Sequence, residues 1–214
     1  MTLRDLLTTG ADKLGFTLSD QQADVFLVYL VELEKWNRKI NLTAIRNEQD
    51  IVIKHFLDSL SYLKGFTPLP ALRLLDMGSG AGFPAIPIKI AYPELSITMV
   101  EAVNKKASFL RHIIRTLRLK DIEVVDKRTG ELTPSYHQSY DVVTARAFAD
   151  MKVALSEGAP FLRSGGIMVL SRGPEETIEE GKALKAGLAI ENRLDLKLPH
   201  SNDPRSLWVF RKER

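Results

Sequence analysis

Apolar positions change their period along this chain, and the change separates a helical first third from a remainder in which short strands and helices alternate. Val25, Phe26, Val28, Tyr29, Leu33 and Trp36 recur at helical spacing with a wide apolar face, so the helix they predict must be largely buried. Ser19-Asp20-Gln21-Gln22 ahead of them fits a capping box, with Ser19 and Gln22 able to satisfy the first free backbone N–H groups. Asn41-Leu42-Thr43 predicts a turn. Residues 48–63 then predict another helix, with Ile51, Val52, Phe56, Leu57 and Leu60 on its inner side. Two prolines in residues 65–70 stop any helix and mark a linker. The expected organisation is a helical extension over 1–66 and a single compact core over 67–214.

From residue 72 onward, short β-branched or leucine-rich runs are separated by helical stretches, the sequence form of a parallel sheet with crossover helices. Strands are predicted over 72–76, 96–101, 122–125, 140–144 and 166–170, and a helix over 175–188. Two last runs, 193–198 and 207–211, are joined by only 199–205, short enough for an antiparallel hairpin at the sheet edge. The fold expected is a Rossmann-like α/β sheet of seven mostly parallel strands. Internal repeats and low-complexity tracts are missing from the pattern.

Composition narrows the chemistry more than the fold. At 214 residues, 44% apolar and 27% charged, the chain reads as an ordinary globular protein. The apolar run 25–33 is interrupted by Tyr29 and Glu32, well short of the roughly 20 residues of a membrane span, and the first residues lack a signal-peptide pattern, so a cytoplasmic location without membrane partners is expected. There is no cysteine, which excludes disulfides, thiolate metal sites and any cysteine-nucleophile route such as methylation of pyrimidine C5. The four histidines, His55, His112, His137 and His200, show no ligand spacing, so no metal is expected. A net charge of +3 and a pI near 9.0 leave nucleic-acid binding to be decided by where the charge lies.

The segment with chemistry in it is Leu74-Leu75-Asp76-Met77-Gly78-Ser79-Gly80-Ala81-Gly82-Phe83-Pro84: a buried strand, a glycine turn and a helix begun near a proline. Glycines let the main chain bend tightly and approach a ligand, and the helix N-terminus offers N–H groups, so the turn can cradle a cofactor or be a plain structural loop. The next strand ends in Glu101, where nucleotide-binding architectures place an acid that accepts ribose hydroxyls. A dinucleotide fingerprint would need a small residue where Phe83 stands, and Asp76 would repel a pyrophosphate yet suit a cationic methionine moiety. The spacing thus favours a sulfonium cofactor. Glycine turn, Glu101 and antiparallel last strand together resemble the class I methyltransferases.

Four segments taken in order, Asn41-Leu42-Thr43, Lys54-His55-Phe56-Leu57-Asp58-Ser59-Leu60, 76–84 and Thr144-Ala145-Arg146-Ala147, resemble the ribosomal small-subunit methyltransferase G family, also called glucose-inhibited division protein B, over nearly the whole chain. The resemblance implies S-adenosylmethionine as cofactor and 16S rRNA, the small ribosomal subunit or its assembly intermediate as partner. The reaction implied is methylation of guanine N7 in the 530 loop, at the position numbered 527 in bacteria. It also implies cofactor contacts at Gly78, Phe83, Thr129, Gly130 and Arg146, beside Gly80 and Glu101 read from the turn and the second strand. One departure stands out: the family pattern Gly-Arg-Ala-Glu is replaced here by Lys127-Arg128-Thr129-Gly130, which leaves backbone contacts and removes the glutamate side chain, with Glu131 one place late.

Guanine N7 already carries an in-plane lone pair, so a reaction there requires positioning and electrostatics but no general base. Thr144-Ala145-Arg146-Ala147-Phe148 also differs from the Asp/Asn-Pro-Pro-aromatic segment of exocyclic-amine methyltransferases, which argues against adenine N6 and cytosine N4. Arg146, at the carboxyl end of a central strand, can hold the cofactor carboxylate, hold an RNA phosphate, or pair with an acid. His55 and Asp58, one helical turn apart, can cap the pocket or form a buried structural pair. Arg111, Arg115 and Arg118 follow helical spacing opposite Phe109, Leu110, Ile113, Ile114 and Leu117, and Lys35, Arg38, Lys39 and Arg46 form a second basic group; both suit phosphates or a solvated face. A methyltransferase with another target and a noncatalytic RNA-binding assembly factor are the alternatives.

Overall fold

The computed structural model describes every residue except 147, 149, 174, 176–179 and 214, so Ala147 of the quoted 144–147 segment and most of the first turn expected of the 175–188 helix lie outside the described residues. Helices α1 (Leu3–Lys13) and α2 (Asp20–Ile40) open the chain. Both start on capping boxes: the Ser19 hydroxyl accepts from Gln22 N, and Thr2 with Asp5 does the same for α1, a helix not singled out by the apolar pattern. α2 ends at Asn41, whose left-handed backbone (φ 50°) turns the chain.

The helix expected over 48–63 is continuous but not uniform. α3 (Glu48–Ile51) passes into a π-helical stretch, Val52–Leu57, then α4 (Asp58–Ser61) and a closing 3-10 turn, Tyr62–Lys64. A π stretch adds a residue per turn and tends to occur where a side chain must be re-aimed; this one contains His55.

The sheet follows as β1 (Arg73–Met77), β2 (Ser96–Val100), β3 (Ile122–Val125), β4 (Tyr140–Arg146), β5 (Leu162–Arg172), β6 (Leu188–Lys197) and β7 (Pro204–Lys212), with α5 (Ala85–Ala91), α6 (Asn104–Thr116), α7 (Met151–Gly158) and α8 (Glu180–Lys185) between. Strand order is β3-β2-β1-β4-β5-β7-β6, parallel from β3 to β5, with β7 antiparallel to both β5 and β6. The terminal hairpin is therefore present, and its β6 forms the edge. β6 starts at Leu188, earlier than expected, because Gly187 takes a positive φ of 70° and ends the helical stretch there.

Alternate residues of the strands face two apolar layers. Leu74, Ile97 and Val142 pack with α1, α2, the 48–64 helix and inward residues of α5 and α6, whereas Leu75, Met77, Val143 and Ala145 pack with α7 and with Trp208 and Phe210 of β7. The helical extension thus covers one sheet face, the face onto which Asp76, Thr144 and Arg146 also project. Arg118 lies beyond the end of α6 with φ 52°, so it leaves the helical stripe that Arg111 and Arg115 share.

Candidate cofactor turn and polar mouth

Strand register builds the site. Met77 pairs with Val100 and Ala145, and Val100 with Val125, so the next residues, Gly78, Glu101, Asp126 and Arg146, form a row across the carboxyl ends of four parallel strands. Ligands of open α/β sheets bind on this edge.

The glycine turn is held from several sides. Gly78, Gly80 and Gly82 have φ of 65°, 59° and 96°, values that favour glycine. Gly80 N donates to Glu101 Oε2 (2.8 Å), and Val103 N donates to Glu101 Oε1 (2.8 Å). A carboxylate offers about four acceptor sites, so two remain for further donors. Tyr29 of α2, fully buried, donates its hydroxyl to Ala81 O and so ties the extension to the turn. A Cβ on Gly82 would stand 2.4 Å from Ile86 Cδ1 and 2.9 Å from that hydroxyl. Gly82→Ala should therefore cost about 3 kcal/mol through strain and overpacking, read as a lower midpoint in urea unfolding; an unchanged midpoint would contradict the close packing.

Asp76 lies beneath the turn with no exposure. Thr144 Oγ1 donates to its Oδ1 (2.9 Å), while Oδ2 has no hydrogen-bond partner among the described residues. Burial pushes its pKa up to about 7, against the pull of the Ser79 and Thr144 hydroxyls and of Arg146. An unpaired buried carboxylate oxygen next to a glycine cradle is costly by itself and suits a cationic ligand group.

A second cluster joins elements distant in sequence. Arg146 directs one guanidinium nitrogen to His55 Nδ1 and sets another 3.3 Å from Asp58 Oδ2. Its plane lies over Phe83, 5.1 Å from the ring centre, and His55 stacks on the same ring at 4.5 Å. His55 Nε2 is 2.7 Å from Thr43 Oγ1, and Asn37 pairs with the Thr43 backbone through both of its amide atoms (2.9 Å each). Because the guanidinium can only donate, His55 Nδ1 accepts and Nε2 carries the hydrogen given to Thr43. Burial, and then Arg146, lower the His55 pKa to about 3, which keeps the ring neutral. Asp58, 3% exposed, also accepts from Arg205 Nε of β7 (2.9 Å), and burial raises its pKa against both arginines.

The residues expected at the site therefore fall into groups. Gly80 bonds Glu101 directly and Gly78 stands in the same row of strand ends, while Phe83 and Arg146 belong to the neighbouring aromatic and polar cluster. Thr129, buried, and Gly130, exposed, lie in a short 3-10 turn (Thr129–Glu131) past β3 on the same sheet edge. Glu131 accepts from Arg128 N (3.2 Å) within that turn. Lys54, His55, Asp58, Arg146, Arg172 and Arg205 line an adjoining cavity of about 390 Å³. Sequence reasoning missed Tyr29, Asn37, Arg172 and Arg205. A tyrosine on a fully buried helix face was the available signal for Tyr29, since its hydroxyl must find a partner.

Strand order, antiparallel β7, the turn after β1 and the acid after β2 define the class I S-adenosylmethionine-dependent methyltransferase fold. Solved structures with similar folds include the [4+2]-cyclase SpnF (TM-score 0.62, 14% identical, 90% of this chain and 96% of that one) and M. jannaschii TYW2 in complex with AdoMet (TM-score 0.54, 15% identical, 69% and 70%). A cyclase among them illustrates that the fold alone does not assign the reaction. The family model for rRNA small subunit methyltransferase G matches residues 22–208. Ribosomal RNA small subunit methyltransferase G of Acetivibrio thermocellus is 40% identical over all of this chain and 90% of that protein, and that of Geotalea uraniireducens 41% identical over 99% and 97%. The chain belongs to the rRNA small subunit methyltransferase G family. No helix among the described residues is long and apolar enough to cross a membrane.

Proposed function

We propose that this protein transfers a methyl group from S-adenosylmethionine to N7 of a guanine in the 530 loop of 16S rRNA, at the position numbered 527 in bacteria, acting in the cytoplasm on the small subunit or its assembly intermediate. The carrying observation is the commitment of His55. Both ring nitrogens are engaged, one accepting from Arg146 and one donating to Thr43, and the ring stays neutral, so it positions Arg146 and takes no proton from substrate. Asp58 is likewise held between Arg146 and Arg205. An acceptor that already has its lone pair, such as guanine N7, suits a mouth whose imidazole and carboxylate both serve as supports.

The residues beneath the turn fit the cofactor. S-adenosylmethionine supplies an electrophilic methyl carbon on a positively charged sulfur. Asp76, with its open Oδ2, favours the cationic methionine end, and Gly78 and Gly80 admit it close to the main chain. Glu101 has acceptor sites left for the ribose hydroxyls, and the Thr129–Gly130 backbone borders the adenine end. Phe83 and Arg146 close the methionine side, Arg146 facing the carboxylate or an RNA phosphate. The mouth lining sets Lys54, Arg146, Arg172 and Arg205 against one carboxylate, Asp58. Although Lys54 pairs with Asp50 outside it (3.2 Å) and Arg205 with Asp58, this basic excess suits a polyanion whose backbone places the base.

Incubating the purified protein with labelled S-adenosylmethionine and separate ribosomal fractions should label small-subunit rRNA at a single guanine N7. Label on an exocyclic amine, or on a nonribosomal substrate, would overturn this reading; cofactor uptake with no transfer would favour the assembly-factor alternative.

A further inference from the structure

We infer that the seam between α2 and α6 is a docking surface for the phosphate backbone of RNA, separate from the mouth and holding the substrate beside it; this rests on the rRNA methyltransferase reading above. Charge on the molecule is strongly uneven. Residues 35–46 and 102–120 contain ten Lys and Arg and no Asp or Glu, so with +3 on the whole chain the other residues carry a net −7.

The fold brings these two stretches together. Trp36 packs on Phe109 (5.6 Å) and His112 (5.0 Å), and Glu32 bonds His112 (2.5 Å). Lys35 and Lys39, one turn apart, flank Trp36 on α2. On α6, Lys105 lies two turns before His112 and Arg115 nearly one turn after it, so all three share the face that meets α2 and solvent. Lys35, Lys39, Lys105 and Arg115 are exposed. Glu32 neutralises Lys35 (3.3 Å) and Asp126 neutralises Arg111 (3.0 Å). None of the ion pairs found among the described residues involves Lys39, Lys105 or Arg115. Lys105 to Arg115 spans about 15 Å at 1.5 Å per residue, long enough to follow several phosphates.

Direction favours RNA as the occupant. Lys39 stands two residues before the Asn41 turn that leads to Thr43 and His55, and Lys105 four residues after Glu101, so both basic rows begin at the sheet edge where the site lies and lead away from it. A polyanion with one base in the mouth has its flanking backbone laid along this path.

The test is a combined Lys39→Glu, Lys105→Glu, Arg115→Glu variant, with the neutral Gln set beside it and Lys13→Glu, Lys64→Glu, Lys185→Glu as an equal charge change away from both the seam and the mouth. Measured on small ribosomal subunits, the seam variant should raise KM at least about tenfold with kcat held within about twofold. The slope of log binding constant against log salt should fall by about 2 to 3, at 0.7–0.9 per lost phosphate contact, with the Gln set intermediate and S-adenosylmethionine affinity unchanged. Unchanged KM and slope, or an equal loss in the remote variant, would overturn the docking surface. If the wild type itself neither binds nor methylates small subunits, the rRNA reading fails first, and that result is separable because it appears before any substitution.

Discussion

Arg146→Ala should lower methyl transfer by at least about 100-fold, a loss of about 2.7 kcal/mol of transition-state stabilisation. The side chain joins four partners at once: His55 Nδ1, Asp58, the Phe83 face and the cavity that Lys54, Arg172 and Arg205 also line. Removing it leaves the His55 acceptor without a donor and Asp58 with Arg205 alone, so stability should also drop, by about 3 kcal/mol as for a broken buried ion pair. Arg146→Lys separates the two effects. A single ammonium restores charge near Asp58 but cannot span His55 and Asp58 as a planar fork does, so it should recover much of the stability and little of the turnover. Urea unfolding and single-turnover transfer, measured on both variants, check this. Near-normal turnover in Arg146→Ala would remove Arg146 from the site and leave it a structural ion pair.

What the sequence disclosed and what it withheld follow from how local each feature is. Strands β1 to β4 were legible because each is a short apolar run bounded by turn residues, and the terminal hairpin because residues 199–205 are too short for a crossover. The Asp76-to-Pro84 turn was legible because its glycines sit at adjacent positions of one segment. α1 was harder: Gly10 interrupts a good helical pattern, and its reason is tertiary, since a Cβ there would lie 2.3 Å from Leu57 of the π stretch. The helix expected over 175–188 ends at Lys185; Ala183, Leu184, Ala186 and Leu188 keep an apolar rhythm past that point, and Gly187, with φ 70°, is the stop. Least legible was the chain Asn37–Thr43–His55–Arg146–Asp58–Arg205. Its links cross from α2 to the 48–64 helix, β4 and β7, and only the fold makes them neighbours. His55 and Asp58 on a strongly apolar helix were the local sign that polar partners must come from elsewhere.

Asp76→Asn should change both the pH dependence of stability and that of cofactor binding. In the folded protein the Asp76 pKa is near 7, above its ordinary 3.8, because the carboxyl is buried beneath the turn. Between these values the folded state keeps a proton that the unfolded chain has released. The contribution of this group to stability is therefore full below about pH 4 and is lost as pH rises through 7, by about 4 kcal/mol at 1.36 kcal/mol per pKa unit. Asparagine keeps the shape without the charge, so wild type should lose stability relative to the variant from pH 5 to pH 8 in urea unfolding. Donor binding should run the opposite way. If, as proposed, the ionised Asp76 faces the cationic end of S-adenosylmethionine, wild-type affinity relative to Asp76→Asn should rise by about tenfold over the same interval. Taking the ratio of the two proteins cancels the ligand's own titration. Calorimetry at pH 5 and pH 8 decides the matter: a ratio that does not move with pH would show that Asp76 does not face the cation, and parallel unfolding curves would show that its carboxyl titrates as it does in the unfolded chain.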